Sequence, residues 1–441
     1  MASLSLLAGL RLAFAAESFL DNGMIRVGVD LAEGGSITWL SVSGTTNNVV
    51  NNHDLGRQIQ QSYYAGPRPY NPFNCVNPQW SNWPWNPIQS GDSYGHGSTV
   101  LAHYNDARTL YVKCRPMQWA LDNVPGQCTF ESWISLTGQV AVVSNRLVNA
   151  RTDTARQFQA ANQELPAAYT VGTLCRLFSY AGWEPFTGAP LTNLPAQGPP
   201  HWTYWRATES WAALVDTNDW GLGVYHPGVT AFLGGFHGEP GRGGPRDDQT
   251  GYIAPFQEEV LDTNIVYSWS YHLILGTVRQ IRDWVYAQPY RPGCNWRFAT
   301  DRQHWSYLNT TDSGWPLRGK RLRVSLNCTN PLMCSPPTAF AAAAVPRLYI
   351  RAALRMSHPN GRNVAQLGWQ TNGACGFDLA RSTRWPLLPD RRFHIYEVDL
   401  AGCTNYAGLV TRLWFSPCRS GDPGDYLDVA GIASSRNTFG R

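Results

Sequence analysis

The chain has 441 residues, long for one domain and natural for two, and its 43% hydrophobic content suffices for sizeable cores. Charged residues are only 15%, while Gly (41), Pro (30), Trp (19) and Tyr (20) are plentiful, a balance that describes a turn-rich β-protein and excludes a helical or disordered chain. A net charge of +4 with no Lys/Arg run argues against nucleic acid as a partner, although only Lys113 and Lys320 are lysines and the rest of the 35 basic residues are arginines, whose planar fork suits carboxylates, sulfates and sugar hydroxyls.

Residues 1–15 join an apolar run to the A-x-A pattern Ala13-Phe14-Ala15 and read as a signal peptide, which implies a secreted, extracellular protein. No later segment approaches the ~20 apolar residues of a membrane span. Strands are expected at Met24–Val29, Ser36–Ser41, Leu110–Arg115, Cys128–Leu136, Val140–Val148, Glu209–Val215, Gly221–His226 and Asn264–Leu275. In VAVVSNRL (from Val140) and YSWSYHLI (from Tyr267) bulky and small or polar positions alternate, the pattern of half-buried antiparallel strands. A short helix over Val278–Tyr286 precedes the Pro/Gly-rich AQPYRPGCN at Ala287–Asn295. The boundary falls there, so that 16–290 and 291–441 read as separate domains.

Four cysteines precede residue 290 (Cys75, Cys114, Cys128, Cys175) and six follow it (Cys294, Cys328, Cys334, Cys375, Cys403, Cys418). None has CxxC spacing, which argues against a structural zinc; two even sets fit disulfides of an oxidising compartment, with Cys328 and Cys334 placed to close a hairpin. Asn309 and Asn327 are glycosylation acceptors in the same region.

The stretch IRVGVDLAEGGSITWLS, Ile25–Ser41, followed by Gly56-Arg57, resembles the opening of galactose-mutarotase-like β-sandwich domains. That superfamily includes sugar mutarotases and domains of glycoside hydrolases and polysaccharide lyases. The resemblance implies a large antiparallel sandwich (a supersandwich) and a sugar-site role for Arg57. After the boundary, VPRLYIRAALRMS, AQLGWQT, RRFHIYEVDL and LVTRLWFSP, closing in DYLDVAGIAS, resemble the galactose-binding-like jelly-roll modules of carbohydrate-active enzymes. The fold expected is therefore all-β, a large β-sandwich followed by a smaller β jelly-roll.

Sugar sites pair aromatic platforms with planar hydrogen-bonding groups, and the first domain is dense in both. NNHDLGRQIQQSYYAG, Asn51–Gly66, is polar and aromatic on both faces of any strand it forms, which suggests a groove floor with Arg57, Gln58, Gln61 and Tyr63 binding substrate and Tyr64 as platform or base. The run Tyr70–Asp92 carries Trp80, Trp83 and Trp85 among prolines and asparagines and reads either as an aromatic loop over a groove or as a loop packed on its own domain. Asp92 ends it, with Tyr94 and His96 beside it.

Hydrolysis of a glycosidic bond needs two carboxyl groups ~5 to 10 Å apart. The candidates are Glu164, where the Pro after Leu165 implies a chain turning out of a sheet; Glu209 at the start of an apolar strand; Asp247 and Asp248 in a Gly/Pro loop with His237; and Asp92, beside Tyr94 and His96, where the Trp loop ends. β-Elimination instead needs a Tyr, His or Lys base beside an Arg, Asn or Gln, which Arg57, the glutamines, the tyrosines and His226 or His53 could supply. Catalytic roles are expected of Glu164, His226, Asp248 and Tyr64, and substrate contacts of Arg57, Gln58, Gln61, Tyr63, Trp83, Trp85, Asp92, His96, Glu209 and His237. No metal site or cofactor is expected beyond a structural calcium, which a β-sandwich accommodates.

The expected function is a secreted enzyme cleaving glycosidic bonds in a polysaccharide, an acidic one being allowed by the arginines, with hydrolysis favoured. The alternatives are a lyase acting on a uronate-containing glycan and a non-catalytic glycan-binding or extracellular-matrix protein.

Overall fold

Two alternating strands set the layout of the first half. Ala141, Val143 and Leu147 of Val140–Asn149 join one apolar core with Tyr267, Trp269, Tyr271 and Leu273 of Val266–Thr277, while Ser144 and Ser268 face outward. The two strands pair antiparallel from Val140 opposite Ile274 to Val148 opposite Val266. A computed structural model describes residues 17–153, 155–195, 198, 202–372 and 376–439, so the signal-peptide reading at 1–15 and Cys375 lie outside the described residues.

The protein is all-β, as its composition implies, and every strand pairing between neighbours is antiparallel. All eight strands expected before residue 290 are present within two residues of their expected ends. One ten-stranded sheet runs Glu17–Asp21, Ile25–Asp30, Ser36–Val42, Ile59–Ser62, Ala161–Val171, Thr250–Glu259, Ala231–His237, Thr203–Arg206, with the short strand Pro87–Ile88 attached to Ile59–Ser62 and Met117–Gln118 attached to Pro87–Ile88. A nine-stranded sheet, with Val140–Asn149 and Val266–Thr277 near its middle, faces it across the shared core. The Gly34-Gly35 turn after Ile25–Asp30 has φ of 62° and 71°, and a Cβ on Gly34 would lie 2.1 Å from the Gln89 carbonyl oxygen, so only glycine fits there.

The helix Val278–Ala287 starts at a Thr277 cap with Gln280 completing a capping box. It lays Ile281 and Val285 on Trp211, Ala213 and Val215, on the outer side of the nine-stranded sheet.

Past residue 290 a five-stranded and a six-stranded sheet enclose a second core, which includes Leu348, Ile350, Trp369, Leu413, Phe415 and Val429. A buried ion cluster ties this part to the first: Arg302 bonds Asp262 at 2.7 Å and Asp312 at 2.6 Å, and Gln157 bonds both carboxylates.

Among the described residues the cysteines are all thiols. The hairpin expected between Cys328 and Cys334 does not form: Thr329 and Met333 bridge to Ser420 and Phe415, so this segment pairs with the chain around 415–420 and not with itself. Burial pushes the Cys114 thiol up to about 12 and the Cys334 thiol to about 11.

Candidate active site

Asn51–Gly66 resolves into a four-residue strand, Ile59–Ser62, buried throughout. Its alternation is real, but one face is an interior polar network and not a groove. Gln61 donates to Ser132 Oγ (2.9 Å) and the Glu131 carbonyl, and accepts from Tyr63 Oη (2.8 Å), which accepts in turn from Trp269 Nε1 (2.8 Å). Gln58, in the left-handed region, donates to the Asp54 carbonyl and Glu33, and accepts from Ser90 Oγ. Gln58, Gln61 and Tyr63 are therefore structural: each is at most 1% exposed, and their polar atoms bond within the protein. Polar groups on a buried strand are tolerated when partnered, and each unmade bond would cost about 1–3 kcal/mol.

The opposite face of the ten-stranded sheet is different. Antiparallel register sets Ser62, Glu164 and Phe256 in one row across three strands, and residues directly opposite share a face. The Ala161–Val171 strand does not leave the sheet at Pro166, as its sequence implied. Its register shifts on both sides after Glu164, a bulge that accommodates the residue lacking an N–H and re-aims the side chains around it.

Aromatic rings surround the half-buried Glu164. Tyr169 stacks on Tyr252 (centroids 4.5 Å), Trp202 tilts against Tyr252 (5.0 Å), and Trp83 meets Tyr64 edge-on (6.0 Å). Tyr204, 67% exposed, packs edge-on to Phe256. Burial raises the Glu164 carboxyl above the usual range; the hydroxyls of Tyr252, Tyr64 and Ser62 oppose this, Tyr252 Oη approaching without completing a hydrogen bond. Burial and the Glu164 charge push the hydroxyls of Tyr64 and Tyr252 well up, so both stay neutral.

Two residues beyond Phe256 on the same face lies Glu258, roughly 7–8 Å from Glu164 by the diagonal spacing of an antiparallel pair. Its carboxylate bonds Arg412 at 2.6 Å and Ser306 Oγ at 3.0 Å, both from the second half of the chain. Sequence reasoning passed over Glu258, Tyr169, Tyr252, Trp202 and Tyr204; the two-residue spacing of Tyr252, Ala254, Phe256 and Glu258 was the available signal.

A second cluster sits at the far end of the same strands. Arg57 bonds Asp248 Oδ1 (2.6 Å) and Asp54 (3.3 Å), and His237 Nε2 lies 3.1 Å from Asp248 Oδ2. Arg57 and His237 hold the Asp248 carboxyl below the usual carboxylate range. Thr250 pairs with Val171 while Phe256 pairs with Glu164, so six residues of extended strand, roughly 20 Å, separate Thr250 from the Glu164 row, and Asp248 lies two residues beyond Thr250. These two carboxyls cannot act on one bond.

The remaining candidates are placed elsewhere. Glu209 is fully buried, bonded by Arg282, Tyr286 Oη, Trp211 Nε1 and the Phe186 N–H, and it fastens the helix Val278–Ala287 to its sheet. Asp92 accepts from the backbone of Tyr94, His96 and Asn123 and caps its loop, with His96 beside it. Trp85 is core, under the Arg151 guanidinium. His226 is buried between the sheets, stacked on Trp269 at 5.7 Å, and burial lowers it to about 3, so it is neutral. The Trp loop thus divides: Trp85 packs inward, and Trp83 reaches Tyr64.

Clefts of about 570 and 540 Å³ lie away from Glu164, one beside Asn309 and Asn327, the other beneath Phe73. Among the described residues no group of three or more His, Cys, Asp or Glu could hold a metal ion, and no helix is long and apolar enough to cross a membrane.

No protein-family model and no curated protein matches the chain. Among solved structures it is similar to a galactose mutarotase related enzyme from Lactobacillus acidophilus, at 11% identity over 59% of this chain and 97% of that one, with a TM-score of 0.38. A galactose mutarotase-like protein from Clostridium acetobutylicum gives 9% identity, 59% and 94% coverage and a TM-score of 0.35. A 4-alpha-glucanotransferase from Thermococcus litoralis gives 10%, 59% and 37%, with a TM-score of 0.30. At such identities and TM-scores these likenesses assign no activity to the chain.

Proposed function

We propose that this chain is a secreted carbohydrate-active enzyme with two domains, 16–290 and 291–441, that cleaves glycosidic bonds by hydrolysis on the Glu164 face. The observation carrying this is Glu164 itself: a carboxyl held toward its protonated form among neutral tyrosine hydroxyls and rings, on a half-open sheet face. A protonated carboxyl is the group needed to deliver a proton to a departing glycosidic oxygen. The half-buried Tyr169, Trp202 and Trp83 and the exposed Tyr204 offer ring faces and edges to a sugar, with Tyr252 buried beneath them. Glu258 is the second carboxylate, at a backbone spacing compatible with the two-carboxyl mechanism.

The elimination reading is weaker on this face. The tyrosines that would serve as bases have hydroxyls pushed up and stay protonated, and the arginine that would neutralise a uronate, Arg57, is engaged with Asp248. A glycan panel scored for new reducing ends and for ultraviolet-absorbing unsaturated products tests the proposal. Reducing ends without the chromophore, abolished by Glu164→Gln, are expected. The chromophore would instead establish a lyase, and retention on a glycan with no product would establish a binding protein.

A further inference from the structure

The small net charge conceals an uneven division. Residues 1–290 hold 16 Arg and Lys against 22 Asp and Glu, and residues 291–441 hold 19 against 9, so net −6 is followed by net +10. Only Lys320 among those 19 is a lysine.

Strand alternation gathers six of these arginines on one surface. In Arg347–Arg355 the side chains of Leu348, Ile350, Ala352 and Leu354 enter the second core, which sends Arg347, Tyr349, Arg351 and Arg355 outward. On neighbouring strands Arg323 lies opposite Asp428 and Arg297 opposite Gly431. Arg297, Arg321, Arg323, Arg347, Arg351 and Arg355 therefore share the outer face of the five-stranded sheet with Asp428, Glu397 and Asp399. Arg323 bonds Asp428 through Nε and Nη2, Arg321 lies 2.9 Å from the same carboxylate, and Arg347 lies 3.3 Å from Glu397. Among the described residues no carboxylate is ion-paired with Arg297 or Arg351.

Rings lie against three of these guanidiniums. Arg323 lies over Tyr426 at 3.9 Å and Arg355 at 5.8 Å, and Arg351 lies over Phe393 at 5.0 Å. Arg323 spends Nε and Nη2 on Asp428 and Arg355 spends Nη1 on the Gly424 carbonyl, whereas Arg351, held against its ring, keeps its N–H edge for a planar or trigonal anion and loses little freedom on binding.

We propose that this face binds an anionic polysaccharide through its carboxylate or sulfate groups. Positive charge favours a polyanion, and the arginine forks match carboxylate and sulfate geometry. The same stacking covers the ring faces that single-stranded nucleic acid needs for its bases, which makes the polysaccharide the better occupant. The surface is separate from the Glu164 face, so its test requires no turnover.

Binding of the full chain to heparin, polygalacturonate, uncharged dextran and an oligonucleotide is measured across a salt series. Expected are binding to at least one acidic polysaccharide at physiological salt, a steep fall with salt, none to dextran, and weaker binding to the oligonucleotide. Arg351→Gln with Arg355→Gln should weaken polysaccharide binding roughly tenfold or more, with Arg297→Gln as a second variant at an exposed strand end and Arg146→Gln, on the first sandwich, as an unaffected control. Absence of binding to both acidic polysaccharides, tighter binding to the oligonucleotide, or undiminished binding by folded variants would overturn the proposal.

Discussion

Arg57 holds Asp248 across 191 residues of sequence, with Nη2 at 2.6 Å from Oδ1 and Nη1 donating to the Asp248 carbonyl oxygen at 2.5 Å. One side chain thereby anchors both the carboxyl and the backbone of the Gly/Pro loop that precedes Thr250–Glu259. Lysine lacks the second donor of the fork. Arg57→Lys should leave the melting temperature nearly unchanged, open the 238–249 loop to limited proteolysis, and let the Asp248 pKa rise toward its ordinary value. Unaltered proteolysis would show that the loop holds itself.

Glu164→Gln should lower turnover about a hundred- to ten-thousand-fold with the fold intact. The acid form is the working form, so activity falls as pH rises through its raised pKa. The Tyr64 hydroxyl lowers that pKa, so Tyr64→Phe should move the alkaline limb of kcat/KM to higher pH. A limb that stays in place would remove Glu164 from the acid role.

The Arg302 cluster is buried on both sides, with side chains at 5%, 1% and 2% exposure for Arg302, Asp262 and Asp312. Arg302→Ala strands two carboxylates in the interior and should cost about 3–5 kcal/mol, read as a lower denaturant midpoint. Combining it with Asp262→Asn and Asp312→Asn should recover part of that loss. If Arg302→Ala is neutral, the junction is wet and not a buried pair.

His226 has its Nε2 buried without a partner and is lowered to about 3 by burial, with nearby His304 adding to the shift. An unfolded chain takes up this proton near the ordinary histidine value, and the folded chain does not until about 3. His226 therefore removes stability as pH falls through that window and has no effect above it. His304 is shifted the opposite way, raised by Glu259 despite burial, so the wild-type curve mixes both. The difference between wild type and His226→Gln isolates the first: the variant should lose less stability from neutral pH to pH ~4. Parallel curves would mean that His226 is protonated in the folded state.

Glu164, Tyr64, Trp83, Arg57, Asp248 and His237 were legible because charged or aromatic residues beside Pro and Gly stand out in a chain with 15% charge. Their grouping was not legible. Nothing local tells that Glu164 faces Ser62 and Phe256, or that Asp248 is a strand's length from it, since both follow from pairing between segments about 100 residues apart or more, or from count along a partner strand. Glu209 misled for the same reason: beside an apolar strand it looked like a catalytic carboxyl or a substrate contact, and only the distant helix bearing Arg282 and Tyr286 explains it.

By itself the sequence determined the class and spacing of the elements: period-two alternation makes strands wherever one face can be buried, and Pro/Gly clusters end them. Tertiary structure alone decided what each face meets. In Asn51–Gly66 the two faces are about equally polar, yet Gln61 and Tyr63 meet Ser132 and Trp269 of the opposing sheet, whereas Ser62 and Tyr64 meet Glu164 and the aromatic surface. A strand's own residues set which side chains share a face, but the partners that satisfy or leave open that face come from the register and packing of distant strands.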